Sequence, residues 1–327
     1  MEKVRNDIIQ KIICGIPANM KPAEYIVTLL GISKGSAYRR LNGELSFSFE
    51  EVAVLAKEMN FSVDEIIYSE SRRKYIIEFG HYFNDNVENI IYNSLLEYYN
   101  HLCINQKMKR FITIEASNNL WFVYTLFCDN LFSFYYYKYL QQYDISCLKM
   151  KMKDVNIPDF IIDIKNKITN VILNTHNCIS IAMIDPHIFL NVMAEIQYYR
   201  RRNFLEEDDM KLITNDIKSL LDSLQKGAVE NSYEGREYNC FIGQRSIYSN
   251  SAAIQNDNQT YSFFYQQNLH PIICHDKRLC ELHSNYLQSH KRQSVLISNS
   301  NEELQISFFD KQYEYLRKLS KNIDLKV

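Results

Sequence analysis

Apolar residues at Tyr25, Ile26, Leu29 and Leu30 recur at helical spacing behind Pro22, a residue tolerated in a first helical turn, and the pattern stops at Gly31. This predicts a short helix closed by a glycine in the left-handed conformation. Ser33 then stands where a cap belongs for a second helix over Lys34 to Asn42, with Gly43 in the C-terminal glycine position. At about 3.6 residues per turn, Ala37 and Leu41 share the face that must meet the first helix. Gly35, Arg39 and Asn42 fall on the opposite face, with Ser36 at its edge. Such a small, polar outer face suits a major groove: glycine permits close approach, and Arg39 can fork onto a guanine edge. Lys34 and Arg40 flank it toward phosphates. The alternative is an exposed polar helix in an ordinary bundle.

The flanking pattern extends the unit. Ser48-Phe49-Glu50-Glu51 reads as a capping box opening a helix with Val52, Leu55, Ala56 and Met59, and Ser62-Val63-Asp64-Glu65 as a second, opening a short helix. Val4, Ile8 and Ile12, with Ile9 and Ile13, give an amphipathic helix ahead of the motif. The expectation is a helix-turn-helix domain of five helices over residues 1–69.

The Gly31-Ile32-Ser33 turn, Ser36-Ala37, Arg39 and Leu41-Asn42-Gly43 resemble the LacI-type recognition helix, and the five-helix layout is similar to phage-repressor (XRE/Cro) domains. Ser36-Ala37-Tyr38-Arg39-Arg40-Leu41 with Gly43-Glu44 most closely resembles the BetR-type helix-turn-helix of bacterial regulators, over about residues 1–69. The resemblance implies that Lys34, Gly35, Ser36, Tyr38 and Arg39 face the groove. Val27 stands where these families usually carry alanine, and Arg40 where they carry an aliphatic core residue. Pattern and resemblance together name Ser33, Lys34, Gly35, Ser36, Tyr38, Arg39, Arg40 and Asn42 as candidate DNA contacts.

Charge modifies this picture. Residues 1–44 carry Lys3, Arg5, Lys11, Lys21, Lys34, Arg39 and Arg40 against Glu2, Asp7, Glu24 and Glu44, whereas residues 45–69 are acidic. The basic character belongs to one edge, which Arg72-Arg73-Lys74 could extend. A face of this kind gives modest non-specific affinity and calls for two half-sites, hence a homodimer on double-stranded DNA.

Beyond the motif, 327 residues at 46% hydrophobic and 23% charged fit two or three globular domains, and only 8 Gly and 5 Pro argue for mostly helix. The fold class is therefore mainly α with a smaller C-terminal α+β module. Residues 74–230 read as a helical dimerisation or sensor domain. Tyr75 to Cys103 is helical in period, and the aromatic window from Leu120 to Leu140 is either core, dimer face or the lining of an effector pocket. Asp185-Pro186 opens a helix ending in Arg200-Arg201-Arg202, and Glu206 to Asp209 begins the next. Residues 236–327 change period. Tyr238 to Ile242, Ser251 to Gln255, Thr260 to Gln267, Ile272 to Cys274 and Ser294 to Ser298 read as strands, Asn256-Asp257-Asn258 as a turn, and Lys277 to His290 as a helix. Ser300 with Glu303 reads as a third capping box before a terminal helix.

Other chemistry is sparse. Cys274, Cys280 and His283 are weak metal candidates, Cys280 and His283 at i, i+3, but their spacing fits no compact zinc pattern and a buried thiol is the simpler state. No nucleophile elbow, Walker loop, H-E-x-x-H or dinucleotide glycine pattern occurs, so no cofactor and no catalytic residue is expected. There is no signal-peptide pattern, and Asp129-Asn130 interrupts the most apolar window, so no membrane association is expected and the cytoplasm is the expected compartment, with 8 cysteines as free thiols. These readings give a non-enzymatic, sequence-specific DNA-binding transcription regulator with a small-molecule or protein effector as a further candidate partner. A protein-docking module, or an enzyme with an unrecognised C-terminal site, are the alternatives.

Overall fold

The computed structural model describes residues 2–17, 20–59, 61–68, 78–79, 86–256, 260–266 and 270–325. The chain divides into two compact units, Met1–Ile76 and Ile77–Val327. The basic run at Arg72 to Lys74 and the tip of the turn at Asp257-Asn258 lie outside the described residues; within the helix expected from Tyr75 to Cys103, Glu78–Phe79 is instead a strand paired with Ile272–Ile273, and the helix is described from Val87.

The first unit contains α1 (Glu2–Gly15), α2 (Pro22–Leu30), α3 (Lys34–Leu41), α4 (Phe49–Glu58) and α5 (Val63–Tyr68). Ile12, Ala23, Ile26, Ala37 and Leu55 form its buried centre, with Ile8, Val27 and Leu41 packed around them. Pro22 opens α2, and Gly31 ends it at φ 64°, returning its N–H to the Val27 carbonyl. The Ser33 hydroxyl accepts from the Ser36 N–H at 3.2 Å, so α3 starts after a three-residue turn. The Ser48–Glu51 capping box forms on α4. The Glu65 side chain of the second expected box lies outside the described residues.

The second unit is built on a nine-stranded sheet among the described residues. Its elements run β1 (Glu78–Phe79), α6 (Val87–Gln106), β2 (Phe111–Ser117), α7 (Phe122–Thr125), α8 (Asp129–Tyr143), α9 (Asp159–Leu173), β3 (Cys178–Ile184), α10 (Ile188–Arg201) and α11 (Glu207–Glu230), then β4 (Ser232–Tyr233), β5 (Arg236–Gly243), β6 (Ser251–Asn256), β7 (Thr260–Gln266), β8 (His270–Cys274), α12 (Lys277–Arg292), β9 (Ser294–Leu296) and α13 (Glu302–Ser320). Sheet order is β1-β8-β7-β6-β2-β3-β5-β4, with β9 on β5. The pairs β2–β3 and β3–β5 are parallel, and β6 runs antiparallel to β2.

This corrects the helical reading of residues 74–230. That segment supplies β2 and β3, the two central strands, and they pair with strands from the segment 236–327. The sheet is therefore mixed and spans most of the unit rather than being a small C-terminal addition. The reason is the pairing: Ile112 to Ser117 alternates and Cys178 to Ile184 is nearly all apolar, and each finds a partner strand on both sides, β2 between β6 and β3 and β3 between β2 and β5. The terminal helix is also capped one residue later than expected: Asn301, at φ 44°, accepts from the Leu304 N–H in place of Ser300.

Alternation gives the sheet two different faces. On one, Ile114, Ala116, Ile181, Met183 and Ala253 pack with Leu287 of α12. There His283 ties α12 down, its ring nitrogens 2.9 Å from the Ser262 hydroxyl and 3.0 Å from that of Ser251. On the other, Ala182, Ile184, Cys240 and Ile242 join the large core made by α8, α9, α10, α11 and α13. Most of the aromatic window, Phe132 and Phe134 to Tyr139, is buried in this core. No described helix is long and apolar enough to cross a membrane.

Glu115 of β2 is the exception on the second face. It is half-buried, accepts from the Tyr124 hydroxyl at 2.9 Å, and desolvation pushes its carboxyl up to about 7. Protonation is thus favoured by the folded chain. The associated stability is complete below the ordinary value of 4.5 and is lost as pH rises through about 7. Glu115→Gln, neutral at every pH, is expected to match the wild type near pH 4.5. It should exceed it by up to about 3 kcal/mol above pH 7.5. Denaturant titrations of both proteins across this range test it. His101 and His283, both pushed down to about 4 chiefly by burial, destabilise acid-side folding in both proteins alike and cancel in the difference.

Candidate nucleic-acid interface

The rotation of α3 decides which side chains are free to meet a partner. Ala37 is fully buried and Leu41 packs against the same core, so the inward face is the one expected. Gly35, Tyr38, Arg39 and Asn42 are exposed, with Ser33 and Lys34 exposed at the N-terminal end. Ser36 is half-buried. The structure therefore brings six of the candidate contacts, Ser33, Lys34, Gly35, Tyr38, Arg39 and Asn42, to the surface of one short segment.

Arg40 is placed differently. Its Nε and Nη2 donate to the two Glu51 carboxylate oxygens at 2.9 and 2.8 Å, and its Nη1 donates to the Ser36 hydroxyl. The pair is largely shielded, the two side chains being 13% and 17% exposed. Glu51 also accepts from the Ser48 N–H at 2.8 Å. Burial opposes its ionisation, but the Arg40 guanidinium and the Ser48 N–H hold its carboxyl below the ordinary range. Arg40 is thus a bidentate strut between α3 and α4 rather than a free cation. Its placement inside agrees with its standing where related sequences carry a core residue. Glu51 was legible only as a cap; its second task, as the partner of Arg40, required the packing of α3 on α4.

The other bases are held loosely. Lys34 lies 3.1 Å from Glu24 and Arg39 Nε 3.8 Å from Glu44, all four side chains being more than half exposed. Pairs of this kind are worth little and exchange readily for another anion. Gly35 is informative by what does not surround it: a Cβ built there meets nothing within 4 Å. Neither packing nor a left-handed backbone requires glycine at this position, and a helical glycine costs about 0.5–1 kcal/mol relative to alanine. Gly43, in contrast, sits at φ 78° and has a conformational reason.

The Cys274, Cys280 and His283 cluster of the second unit offers no comparable opening. The Cys280 thiol donates to the Cys274 carbonyl at 3.1 Å, and both His283 nitrogens face serine hydroxyls. No group of three potential metal ligands comes together among the described residues. The three arginines at the end of α10 are engaged by Glu207, Asp324 and the Tyr198 hydroxyl.

In this small helical unit α3, an eight-residue helix, buries Ala37 on one side and leaves Gly35, Tyr38 and Arg39 exposed on the other. Residues 2–125 match the family model of the BetR domain, the family whose helix-turn-helix the Ser36 to Glu44 phrase resembles. The match continues past the first unit through α6, β2 and α7. No curated protein and no solved structure matches the chain.

Loss of the strut should be visible locally. Arg40→Ala is expected to lower the protection of α3 and α4 amides by about 1–3 kcal/mol, since it leaves Glu51 without its main partner. Arg39→Ala, on the exposed face, should change it by less than about 0.5 kcal/mol. Hydrogen exchange on the full chain measures both.

Proposed function

We propose that α2 and α3 form a helix-turn-helix within a five-helix unit that reads double-stranded DNA, and that the protein is a sequence-specific transcription regulator rather than an enzyme. The observation that carries this reading is the division of α3 into a locked inner side, held by Ala37, Leu41 and the Arg40–Glu51 pair, and a free outer side of Gly35, Tyr38, Arg39 and Asn42. The BetR match over residues 2–125 supports it.

In this mechanism α3 enters the major groove at Gly35, where the missing side chain lets the helix backbone approach the base edges. Arg39 leaves Glu44 to donate in bidentate fashion to a guanine, the commonest base-specific contact. Lys34 leaves Glu24 for a phosphate, and Ser33, Ser36, Tyr38 and Asn42 complete the contact line. Arg40 acts from within, fixing the angle at which α3 is presented. One such helix with a net charge confined to one edge binds weakly, so two copies of the chain act on a pseudo-palindrome, one in each of two successive grooves. The Ile77–Val327 unit then sets their separation, in the cytoplasm, and an effector acts by binding one separation better than the other.

Selection of bound duplexes from a random library tests this with wild type, Arg39→Ala and Gly35→Ala in parallel. Wild type should enrich an inverted repeat. Arg39→Ala should lose about 1–3 kcal/mol of discrimination at one base pair per half-site while remaining folded. Gly35→Ala should be as stable as wild type or more so, yet bind DNA less tightly, because its methyl group occupies the approach. Absence of enrichment by wild type would turn the outer face of α3 into a protein-docking surface.

A further inference from the structure

The sheet face that carries Glu115 is not filled at that end. A cavity of about 100 Å³ lies between β2, β3, β5, β6 and β7 beneath α6 and the segment from Trp121 to Phe127. Its floor is made small by Thr113, Ser180 and Ala252, and its walls are aromatic, with Tyr98, Trp121, Phe127 and Tyr265 among them. The first part of this wall, α6 through Tyr124, lies inside the BetR match.

Three polar atoms of the wall are buried without partners: the Tyr238 hydroxyl, which can donate or accept, and two N–H groups. Trp121 is 5% exposed, and its ring N–H is buried without a hydrogen bond. The Arg236 Nε is likewise buried without one, although the Arg236 charge acts across the cavity on the Glu115 carboxyl. Both nitrogens can only donate, so what they lack is an acceptor. The carboxyl that shares the cavity does not supply it. Glu115 is engaged by Tyr124, and the register sets it opposite Ala182 and, through β3, Cys240, further along β5 than Arg236. Native chains rarely leave buried donors orphaned, and such groups are completed by water, an ion or a bound molecule.

We propose that this cavity binds a small organic acid whose apolar body lies on the aromatic wall and whose oxygens meet the unpaired N–H groups of Arg236 and Trp121. An organic cation, the other common guest of aromatic walls, offers no acceptor and is opposed by the arginine. Size bounds the guest: a cavity of about 150 Å³ holds benzene, so one of about 100 Å³ takes a smaller body such as a short branched chain. Glu115 supports the assignment, because a carboxyl raised to about 7 by desolvation can be protonated beside an incoming anion. The site stands apart from the DNA-binding reading, since all its residues belong to the second unit.

The chain has a single tryptophan, so its fluorescence reports on this cavity alone. The full-length protein is titrated with isobutyrate and isovalerate, with the neutral isosteres isobutyramide and isovaleramide, and with isobutylammonium. At least one acid is expected to give a saturable change, with its amide at least tenfold weaker. In Arg236→Gln, whose folding is checked by circular dichroism, that acid should bind at least tenfold more weakly. Failure of both acids to saturate, equal binding of acid and amide, or preference for isobutylammonium would each overturn the proposal. Because acid and amide are compared on the wild type, the outcome does not depend on the variant folding.

Discussion

The pairing of β2 between a parallel neighbour and an antiparallel one is the constraint on which the larger unit rests. Parallel strands need cover on both faces, and here α12 supplies it on one side while α6, α8 and the later helices supply it on the other. Strict alternation then sends Ile112, Ile114 and Ala116 one way and Phe111, Thr113 and Glu115 the other. A slip of one residue would drive Glu115 into the apolar layer under Leu287, so the register is held from both edges of the strand. Where the inward positions are bulky the face closes into core; where they are Thr113, Ser180 and Ala252 it stays open.

In the smaller unit orientation is set by charge. A shielded ion pair contributes little net stability, yet breaking it strands a charge, and it therefore defines geometry more than it adds strength. Arg40 and Glu51 fix the roll of α3 about its own axis while Glu51 closes the start of α4. One carboxylate thus ties together the turn before α4, the helix it begins, and the face that α3 turns outward.

What could be read directly from the chain was whatever depends on neighbours a few residues apart. Gly31, Ser33 and Ser48 act through local backbone geometry, and each does what its position implied. The alternating segments after residue 236 became strands within a residue or two of their expected limits, because turn residues bracket them. Ile112 to Ser117 alternates too, but Cys178 to Ile184 is a nearly continuous apolar run, and both lie between long helical stretches, so their distant partners are what make them strands. The partnership of Arg40 with Glu51 was hidden for the same reason, as was the cavity: Glu115, Trp121 and Arg236 are ordinary residues in the sequence and are brought together only by the sheet.

The position of β2 also bears on how the chain can be divided. The BetR match ends at residue 125, shortly after this strand. A fragment cut there would carry the middle strand of a nine-stranded sheet with β3 and β6 both missing. Its two bare edges, flanked by Ile112 and Ile114, would be a template for intermolecular pairing. Division between Ile76 and Ile77 keeps every strand with its neighbours. The limits of a sequence family and the limits of a foldable piece are therefore different boundaries in this protein, and recombinant work on α1–α5 is better guided by the second.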